Sequence, residues 1–280
     1  MTADSVTFLE WALPRLRRRW KGYKNVRGQV EKRIRRRIAA LGLSGFSAYR
    51  ARLEADPDEW LVLDSLCFVT ISRFYRDHRV WETLRDRVLP TLADAAVARD
   101  ETRLRCWSVG CASGEEPYTL SILWAHALAD RYSNLCLEIV ATDVDEEVLD
   151  RARAGVYGAG SLRELPQHLL EEAFEPHEGA YRLRQRFRAR VEFEGADLRA
   201  ALPPGPFHLL LCRNLVFTYF DESLQRETLD RTLKRLAPGG AFVVAPHERL
   251  PPDAPLEPWF PELGIHRQLD PPAPAPASSR

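Results

Sequence analysis

The chain has 280 residues, 45% hydrophobic and 29% charged, a length that suits one large domain or a medium and a small one with a substantial core. Lys plus Arg and Asp plus Glu both number 40, so net charge indicates no partner and only the distribution of charge is informative. No apolar run reaches the roughly 18 residues of a membrane span and no signal peptide is visible, which argues against a membrane-spanning or secreted chain and predicts a cytoplasmic one.

The first distinctive segment, residues 15–37, is strongly basic: it carries twelve Lys or Arg and one acid, Glu31. Within it and just beyond, apolar residues recur at helical spacing from Val26 to Leu41, which predicts a helix with basic residues on its other faces. A solvated helix face explains this pattern, and so does an anionic partner, which would be nucleic acid, a membrane surface or an acidic protein segment. The density of one charge favours binding, but the stripe does not choose among the three partners.

Two further helices, Phe46–Leu53 and Trp60–Phe68, complete a predicted helical domain over residues 1–68. Residues 69–78 are aromatic and basic at once and are predicted to be an interdomain linker with an aromatic anchor. A helix over Val80–Leu92 then opens a second domain, predicted to extend to residue 270.

Residues 104–129 show the pattern strand, glycine turn, helix, which opens a doubly wound nucleotide-binding sheet. The apolar run Leu104–Val109 ends at Gly110, where the absence of a Cβ lets the backbone turn sharply and approach a ligand. Ser113 with Glu116 fits a helix-capping box at the start of the following helix.

The turn also places two carboxylates, Glu115 and Glu116, where a dinucleotide site would present bare amides to a pyrophosphate. Negative side chains repel phosphate but attract an ammonium group, such as that at the methionine end of S-adenosylmethionine (SAM). On the turn alone, a SAM site and a purely structural strand–helix corner explain the pattern equally well.

A second strand, Leu135–Val140, runs towards Asp143 and Asp145. An acid at the tip of the second strand commonly binds the two ribose hydroxyls of a nucleotide. Aspartate also caps helices well, and the helix Glu146–Arg153 follows directly. One of the two acids can cap while the other binds.

The remaining elements continue the alternation of strand and helix that is typical of SAM-dependent methyltransferases. They are a strand Val191–Phe193 leading to Asp197, a strand Phe207–Cys212 ending in Arg213-Asn214, a helix at 221–236, a Pro238-Gly239-Gly240 turn and a strand Ala241–Ala245. Together with the glycine turn, this order favours the SAM interpretation over the structural one.

Three further segments stand outside this alternation. Residues 155–190 are predicted to be an insertion in which Tyr181–Arg190 forms an exposed strand. Trp259–Leu269 is predicted to be a last helix-to-strand return, and residues 271–280, rich in Pro, Ala and Ser, to be disordered. Five cysteines without a C-x-x-C pair are interpreted as small buried hydrophobes in a reduced cytoplasm, with no metal site.

These motifs together resemble the CheR-type protein-glutamate O-methyltransferases, which methylate chemoreceptor glutamates in bacterial chemotaxis. The likeness covers about residues 25–250 and lies in the segments RRRIAALGL, RFYRD, WSVGCASGEEPYTLSI, ATDVDEEVLDRARAGVY, PHEGAYRLRQ and FHLLLCRN. The resemblance implies an α/β fold: a class I SAM-dependent methyltransferase domain with a Rossmann-like doubly wound sheet, a small N-terminal all-α domain and a small β-subdomain inserted at about 155–190. It also implies SAM as the cofactor.

The resemblance implies cofactor contacts at ten positions, which are Thr70, Ser72, Arg76, Gly110, Glu115, Asp143, Asp197, Leu198, Arg213 and Asn214. Of these, Glu115 would meet the SAM amino group and Asp143 the ribose, while Asp197 and Leu198 would lie beside the adenosine. The implied catalytic residues are Arg76 and Tyr219. Arg76 matches the linker arginine beside the reacting centre, where a guanidinium can hold a carboxylate.

The chain departs from the family pattern in three places. Thr70 and Ser72 stand where the family usually has Asn and Thr, so a hydroxyl survives and an amide does not. The Tyr219-Phe220 pair falls at a different register after CRN, which places Thr218 at the position of the family tyrosine. The family's Gly-His-Ser-Glu is Ala245-Pro246-His247-Glu248, predicted to be a surface loop. These departures bear on the acceptor and leave SAM binding intact.

Methyl transfer to a carboxylate needs no general base, because the carboxylate is already ionised at pH 7. Catalysis is then expected from positioning and from desolvation of the nucleophile. The first hypothesis is methylation of a protein glutamate, with the basic N-terminal helix docking an acidic helical, chemoreceptor-like substrate at the membrane periphery. Methylation of another acceptor, and a SAM-binding sensor that transfers nothing, stay open. Nucleic acid is not expected as a partner, because no acceptor motif for a base nitrogen is present.

Overall fold

The computed structural model describes residues 2–269, which fall into two compact units. One unit comprises the residues up to Ile71 together with Asn214–Thr228, and the other comprises Ser72–Arg213 and the residues from Leu229 onwards. The border at Ile71 falls within the predicted linker 69–78, whereas the sequence gives no sign that residues 214–228 join the first unit. The predicted disordered tail, 271–280, lies outside the described residues.

The helices are numbered in chain order. The α-helices are α1 Ala3–Arg15, α2 Arg27–Ala40, α3 Phe46–Ala55, α4 Pro57–Leu66, α5 His78–Thr83, α6 Leu89–Ala98, α7 Glu115–Ala127, α8 Glu146–Ala154, α9 Ala159–Leu162, α10 Gln167–Ala173, α11 Gln185–Arg188, α12 Val216–Tyr219 and α13 Glu222–Leu233. A π-helical turn, Leu84–Val88, joins α5 to α6, and short 3₁₀ turns span Trp20–Tyr23 and Pro261–Leu263.

The strands are likewise numbered in chain order. They are β1 Arg103–Val109, β2 Cys136–Asp143, β3 Val156–Tyr157, β4 Phe174–His177, β5 Ala180–Leu183, β6 Val191–Gly195, β7 Phe207–Leu211, β8 Leu236–Val243, β9 Leu256–Phe260 and β10 Ile265–Gln268.

The first unit is helical, and its core comes from amphipathic helix faces. The apolar stripe predicted for the basic helix is buried at Val30, Ile34 and Ile38 of α2. Helix α4 begins at Pro57, three residues before the predicted start, because Asp56 caps it by accepting a hydrogen bond from the Asp58 N–H. Helix α1 was not predicted.

The second unit is built on a seven-stranded sheet with the order β6-β2-β1-β7-β8-β10-β9. Strands β6, β2, β1, β7 and β8 pair in parallel, and β10 pairs antiparallel with both β8 and β9. Because β1 lies between β2 and β7, the chain order reverses there, and ligands bind such sheets at the carboxyl ends of the strands beside this switch point. The predicted doubly wound α/β architecture is therefore present.

A second sheet of three antiparallel strands, in the order β3-β5-β4, is built from residues 156–183. The predicted exposed strand Tyr181–Arg190 is wrong in its second half. Strand β5 ends at Leu183, and the chain turns into α11 because Phe187 is fully buried against the core of the unit.

Two other predictions at the sheet need correction. The fifth predicted strand, Ala241–Ala245, begins earlier, at Leu236, and its pairing with β7 shifts register between Phe207 and Leu209. The helix predicted at the start of Trp259–Leu269 is absent. Strands β9 and β10 form an antiparallel pair across the 3₁₀ turn, where Gly264 takes a left-handed conformation with φ +71°.

All five cysteines are free thiols, and four are buried as expected, whereas Cys136 is exposed. None of the helices within residues 2–269 is both long and apolar enough to cross a lipid bilayer.

Candidate active site

The glycine turn follows β1 and is anchored to the neighbouring strand. The N–H groups of Gly110 and Cys111 both donate to the carbonyl of Thr142, at 2.8 and 3.0 Å. Gly114 has a left-handed φ of +87°, and a Cβ there would lie 3.0 Å from Ala152 Cβ. Glycine is favoured at this position, since a side chain would be strained by the backbone and would crowd helix α8.

Glu115, the first residue of α7, is a buried acid with an unused acceptor. It is 4% exposed, and Ser161 Oγ donates to Oε1 at 3.4 Å. The other oxygen, Oε2, is buried without a hydrogen-bond partner among the described residues. Burial raises the pKa of this carboxyl, although the hydrogen bonds oppose that shift. An unpaired buried carboxylate oxygen suits a cationic ligand.

Glu116 does not form the predicted capping box with Ser113. Gly114 is the N-cap residue of α7, and no side chain caps the helix. Glu116 instead accepts hydrogen bonds from Ser108 Oγ at 2.9 Å and from Arg213 Nη1 at 3.2 Å. Burial raises the pKa of Glu116, and the Arg213 charge opposes that rise. The prediction failed because α7 begins one residue later than a capping box requires, after the left-handed Gly114, so Ser113 is not the N-cap residue.

Of the two acids at the end of β2, Asp145 takes the capping role that the sequence left open. Asp145 caps α8 by accepting from the N–H groups of Glu147 and Val148. Asp143 is half-exposed and joins the tips of two strands: Oδ2 accepts from the Ala112 N–H at 2.9 Å and Oδ1 from the Asp145 N–H at 3.1 Å. Burial raises the Asp143 pKa, against the effect of these backbone donors. Each oxygen keeps a lone pair that a ribose hydroxyl can use.

The residues after β6 lie beside Asp143, because the Ala196 N–H donates to the Asp143 carbonyl at 2.9 Å. Asp197 pairs with Arg199, whose Nη2 lies 2.7 Å from Oδ2. Leu198 is buried, and its carbonyl accepts from Arg231 Nη1 at 2.9 Å. An acid and an apolar side chain thus occupy the edge of the sheet predicted to hold adenosine.

The linker is tied to the start of α7. The Tyr75 N–H donates to Thr119 Oγ1 at 3.2 Å, and the Thr119 hydroxyl donates to the Glu115 carbonyl at 2.6 Å. Arg76 is half-buried, and its guanidinium has no hydrogen bond or ion pair with any described residue. Arg76 is thus an unpaired cation that directly follows Tyr75, and Tyr75 is connected through Thr119 to Glu115 at the start of α7 (the Glu115 turn).

Arg213 lies at the end of β7 and is almost fully buried, with 2% of its side chain exposed. It pairs with Asp77 at 2.7 Å and Glu116 at 3.2 Å, and Nη2 also donates to the Arg76 carbonyl at 3.1 Å. Its Nε is buried without a hydrogen-bond partner among residues 2–269. Most of this guanidinium therefore serves the linker and α7.

Three predicted site residues, Thr70, Asn214 and Tyr219, belong to the helical unit. Within it, Thr70 is half-buried and Asn214 has a left-handed φ of +58°. Tyr219 is buried, its ring centroid lies 5.0 Å from that of Tyr23, and its carbonyl accepts from the Arg19 N–H at 2.9 Å. The roles proposed for these residues stay predictions.

Some residues of this region escaped the sequence analysis. Ser161 lies in the predicted insertion, and Thr119 lies inside α7, so neither stands at a strand tip where a motif would point to it. Glu248 was assigned to a surface loop but is 4% exposed, and its Oε2 accepts from the Ala245 N–H at 2.8 Å. His247 is exposed, as expected.

The basic segment of the helical unit is largely occupied by internal contacts. Among the described residues, eight of its twelve cations pair with acids, carbonyl oxygens or aromatic rings; these are Arg15, Arg17, Arg18, Arg19, Arg27, Arg33, Arg35 and Arg37. The other four are exposed and have no such partner within residues 2–269; these are Lys21, Lys24, Lys32 and Arg36. The surface available to an anionic partner is therefore smaller than the sequence suggests.

Comparison with known families shows which family the chain belongs to. Residues 70–262 match the SAM binding domain of CheR methyltransferases, and residues 23–63 match their all-alpha domain. The chain belongs to the CheR methyltransferase family. It is accordingly a SAM-dependent methyltransferase with the class I fold, as the resemblance implied.

Curated relatives in the CheR family agree with this assignment. A chemotaxis protein methyltransferase of Klebsiella aerogenes is 35% identical over 222 residues, which are 76% of this chain and 72% of the relative. That of Escherichia coli is 34% identical over 76% of this chain and 73% of the relative. A solved N-methyltransferase, NodS from Bradyrhizobium japonicum in complex with S-adenosyl-L-homocysteine (SAH), matches 61% of this chain and 63% of NodS at 16% identity, with a TM-score of only 0.33.

The residues present fit SAM. The unpartnered Oε2 of Glu115 suits the ammonium of the methionine end, and the close-packed Gly114 turn leaves no side chain in the way. Asp143 stands at the next strand tip with acceptor capacity for ribose hydroxyls.

Proposed function

We propose that this CheR-family enzyme methylates a glutamate side-chain carboxylate on a chemoreceptor-like protein. The observation that carries the proposal is the half-buried guanidinium of Arg76, which has no partner among the described residues and is held on a linker bonded to the Glu115 turn. A guanidinium binds a carboxylate through two parallel hydrogen bonds, which fixes the plane of the acceptor.

The residues take separate roles in this proposal. SAM supplies an electrophilic methyl group on a sulfonium. Glu115 holds the ammonium end, Asp143 binds the ribose, and Asp197 with Leu198 receives the adenosine. Arg76 directs one oxygen of the substrate carboxylate towards the methyl group and neutralises the carboxylate until transfer makes it an uncharged ester. The role of Tyr219, or of Thr218 at the family tyrosine position, stays what the resemblance implies.

No group of the enzyme needs to accept a proton, because a glutamate is ionised at pH 7. The rate then depends on orientation and on exclusion of water from the two reactants. A carboxyl acceptor suits a site whose predicted residues include no general base.

The names of the relatives support a receptor substrate, since both are called chemotaxis protein methyltransferases. We also propose that an acidic helical segment of that substrate docks on the exposed cations of the helical unit. The four cations without internal partners, Lys21, Lys24, Lys32 and Arg36, supply the charge for such a contact.

The proposal is tested in two steps with the full chain. Titration with SAH first measures occupation of the cofactor site. Tritiated SAM is then incubated with chemoreceptor-containing membranes, and the volatile label that mild base releases as methanol is counted. Base-labile label supports a carboxyl methyl ester. Base-stable label would show that the methyl acceptor is a nitrogen or another atom, not a carboxylate. SAH binding without any label would contradict the receptor substrate.

A further inference from the structure

We propose that Asp77 and Arg213 form a positioning pair, which fixes the linker backbone and thereby the direction of the Arg76 side chain. The inference rests on the proposed function, because Arg76 is the residue assigned to the acceptor carboxylate. Arg213 was predicted only as a cofactor contact, and Asp77 was assigned no role.

The backbone on both sides of Arg76 is strained. Tyr75 has a φ of +60° and Asp77 a φ of +61°, so two non-glycine residues out of three are left-handed. This conformation is unfavourable for any residue with a Cβ and most unusual for one as bulky as Tyr75. Strain of this kind persists only where surrounding contacts enforce it, and it is concentrated at functional sites.

Contacts on the C-terminal side of Arg76 converge on its carbonyl. Arg213 Nη2 donates both to this oxygen, at 3.1 Å, and to Asp77 Oδ2, at 2.7 Å. Trp81 Nε1 donates to the same carbonyl at 2.8 Å, and the Arg213 guanidinium lies 5.3 Å from the Trp81 ring centroid. The Asp77 carbonyl meanwhile accepts from the Val80 N–H at 2.8 Å, which starts α5.

Contacts on the N-terminal side prevent the strain from relaxing along the chain. The Phe74 N–H donates to the Ser161 carbonyl at 3.0 Å, and the Phe74 ring is fully buried against Tyr157. The Tyr75 N–H is held by Thr119 at 3.2 Å. Both ends of the short segment are thus anchored to the second unit.

The Arg76 guanidinium has no partner of its own among residues 2–269, so its direction follows from the backbone that carries it. Two groups link this backbone to Arg213, the Arg76 carbonyl and the Asp77 carboxylate, and only the carboxylate carries a charge. Since the Arg213 side chain is only 2% exposed and Asp77 is 34% exposed, water screens their pairing less than it screens a surface ion pair.

The testing variant is Asp77→Asn, because asparagine keeps the shape of aspartate and tolerates a left-handed backbone equally well while losing the charge. We expect receptor methylation at saturating SAM to fall about 10- to 100-fold, as for a misdirected reacting group. Affinity for SAH should stay within about twofold, and amide hydrogen exchange of a peptide covering residues 72–78 should rise about 10-fold.

A second comparison shows whether Asp77 acts through Arg76. In an Arg76→Ala background, the added Asp77→Asn change should leave the residual methylation rate unaltered, because no guanidinium remains to be positioned. The matched control is Asp94→Asn, which removes an ion pair with Arg131 at 3.3 Å elsewhere in the unit and should change neither exchange at 72–78 nor methylation.

Three results would overturn the inference: unchanged exchange at residues 72–78 in Asp77→Asn, full methylation by that variant, or an equal loss in both backgrounds. If the unmodified enzyme methylates no receptor, the proposed function fails by itself. The exchange measurement then still decides whether Asp77 and Arg213 hold the linker.

Discussion

The basic segment and the active site use charge in opposite ways. In residues 15–37, eight of twelve cations are occupied within residues 2–269 by acids, carbonyl oxygens or rings, so most of this charge stabilises the helical unit. At the candidate active site several charged groups are paired as well, but Glu115 Oε2 and the Arg76 guanidinium lack partners among those residues. Charge density in a sequence therefore says little about which charges a ligand can reach.

The strongest test of this contrast is Arg18→Ala in the basic segment. Arg18 is 4% exposed, lies 2.8 Å from Asp64 and donates to the Tyr23 hydroxyl at 3.0 Å. Removal of one partner of a buried pair should lower the free energy of unfolding by about 3–5 kcal/mol. Urea denaturation measures the loss, with exposed Lys32→Ala as the control, for which a change within about 0.5 kcal/mol is expected. Equal midpoints would show that the segment's buried cations are dispensable.

At the active site, the corresponding change is Arg76→Ala. Because this guanidinium stabilises no other group, the variant should fold normally and bind SAH within about threefold, yet lose roughly 100-fold in receptor methylation. Tritium release and calorimetry measure the two quantities. Arg79→Ala, an exposed arginine three residues later, is the control. A loss of SAH affinity as large as the loss of rate would show that Arg76 acts as a cofactor contact, the other role that the resemblance implies, and would contradict its role towards the acceptor.

Glu115→Gln should weaken SAH binding about 10- to 100-fold, since a charge-assisted contact to a buried carboxylate is replaced by a neutral one.

The pH dependence of SAH binding tests the same contact. Burial raises the pKa of Glu115, so the unmodified enzyme should lose SAH affinity on acidification at a pH above that at which an ordinary glutamate protonates. The Gln variant should lack this dependence. Calorimetry across pH measures this difference, and the exposed Glu147→Gln serves as the control. Identical pH profiles for Glu115→Gln and the unmodified enzyme would exclude Glu115 from contact with the ammonium.

The smallest expected effect belongs to the exposed cations. The double variant Lys32→Ala, Arg36→Ala should weaken binding to receptor membranes about 3- to 10-fold at low salt and make binding less salt-dependent. The unfolding free energy should change by less than about 0.5 kcal/mol. Lys234→Ala with Arg131→Ala removes the same charge from the other unit and should bind receptors normally. Equal losses in both variants would indicate attraction by net charge without a docking surface.

The sequence was most informative where the local structure restricts which residue type a position can hold. The glycine turn, the acids at the strand tips and the five predicted strands of the sheet follow from local pattern, because β-strands and tight turns constrain residue type directly. The Ser113–Glu116 box failed because Glu116 pairs with Arg213, which is distant in the chain and which no spacing rule contains. Glu248 was assigned to a surface loop, but it is buried and accepts from the nearby Ala245 N–H.

Helix α1 and the β9–β10 pair were missed for local reasons. Thr2 caps α1 and Leu9, Ala12 and Leu13 form its buried face, but the adjacent basic run dominated the interpretation. At the other end, apolar residues around Pro258 and Pro261 suit a helix no better than an edge strand, and tertiary pairing with β8 decides for the strand.

The inserted three-stranded sheet has a consequence for engineering chimaeras within this family. The Tyr157 hydroxyl donates to the Ser113 carbonyl at 2.6 Å, and Ser161 contacts both Glu115 and the Phe74 N–H. Exchange of the whole insertion between relatives would thus also replace two side chains that hydrogen-bond to Ser113 and Glu115. A graft with its first junction after Leu162 would transplant strands β4 and β5 and leave β3, with Tyr157 and Ser161, to the recipient enzyme.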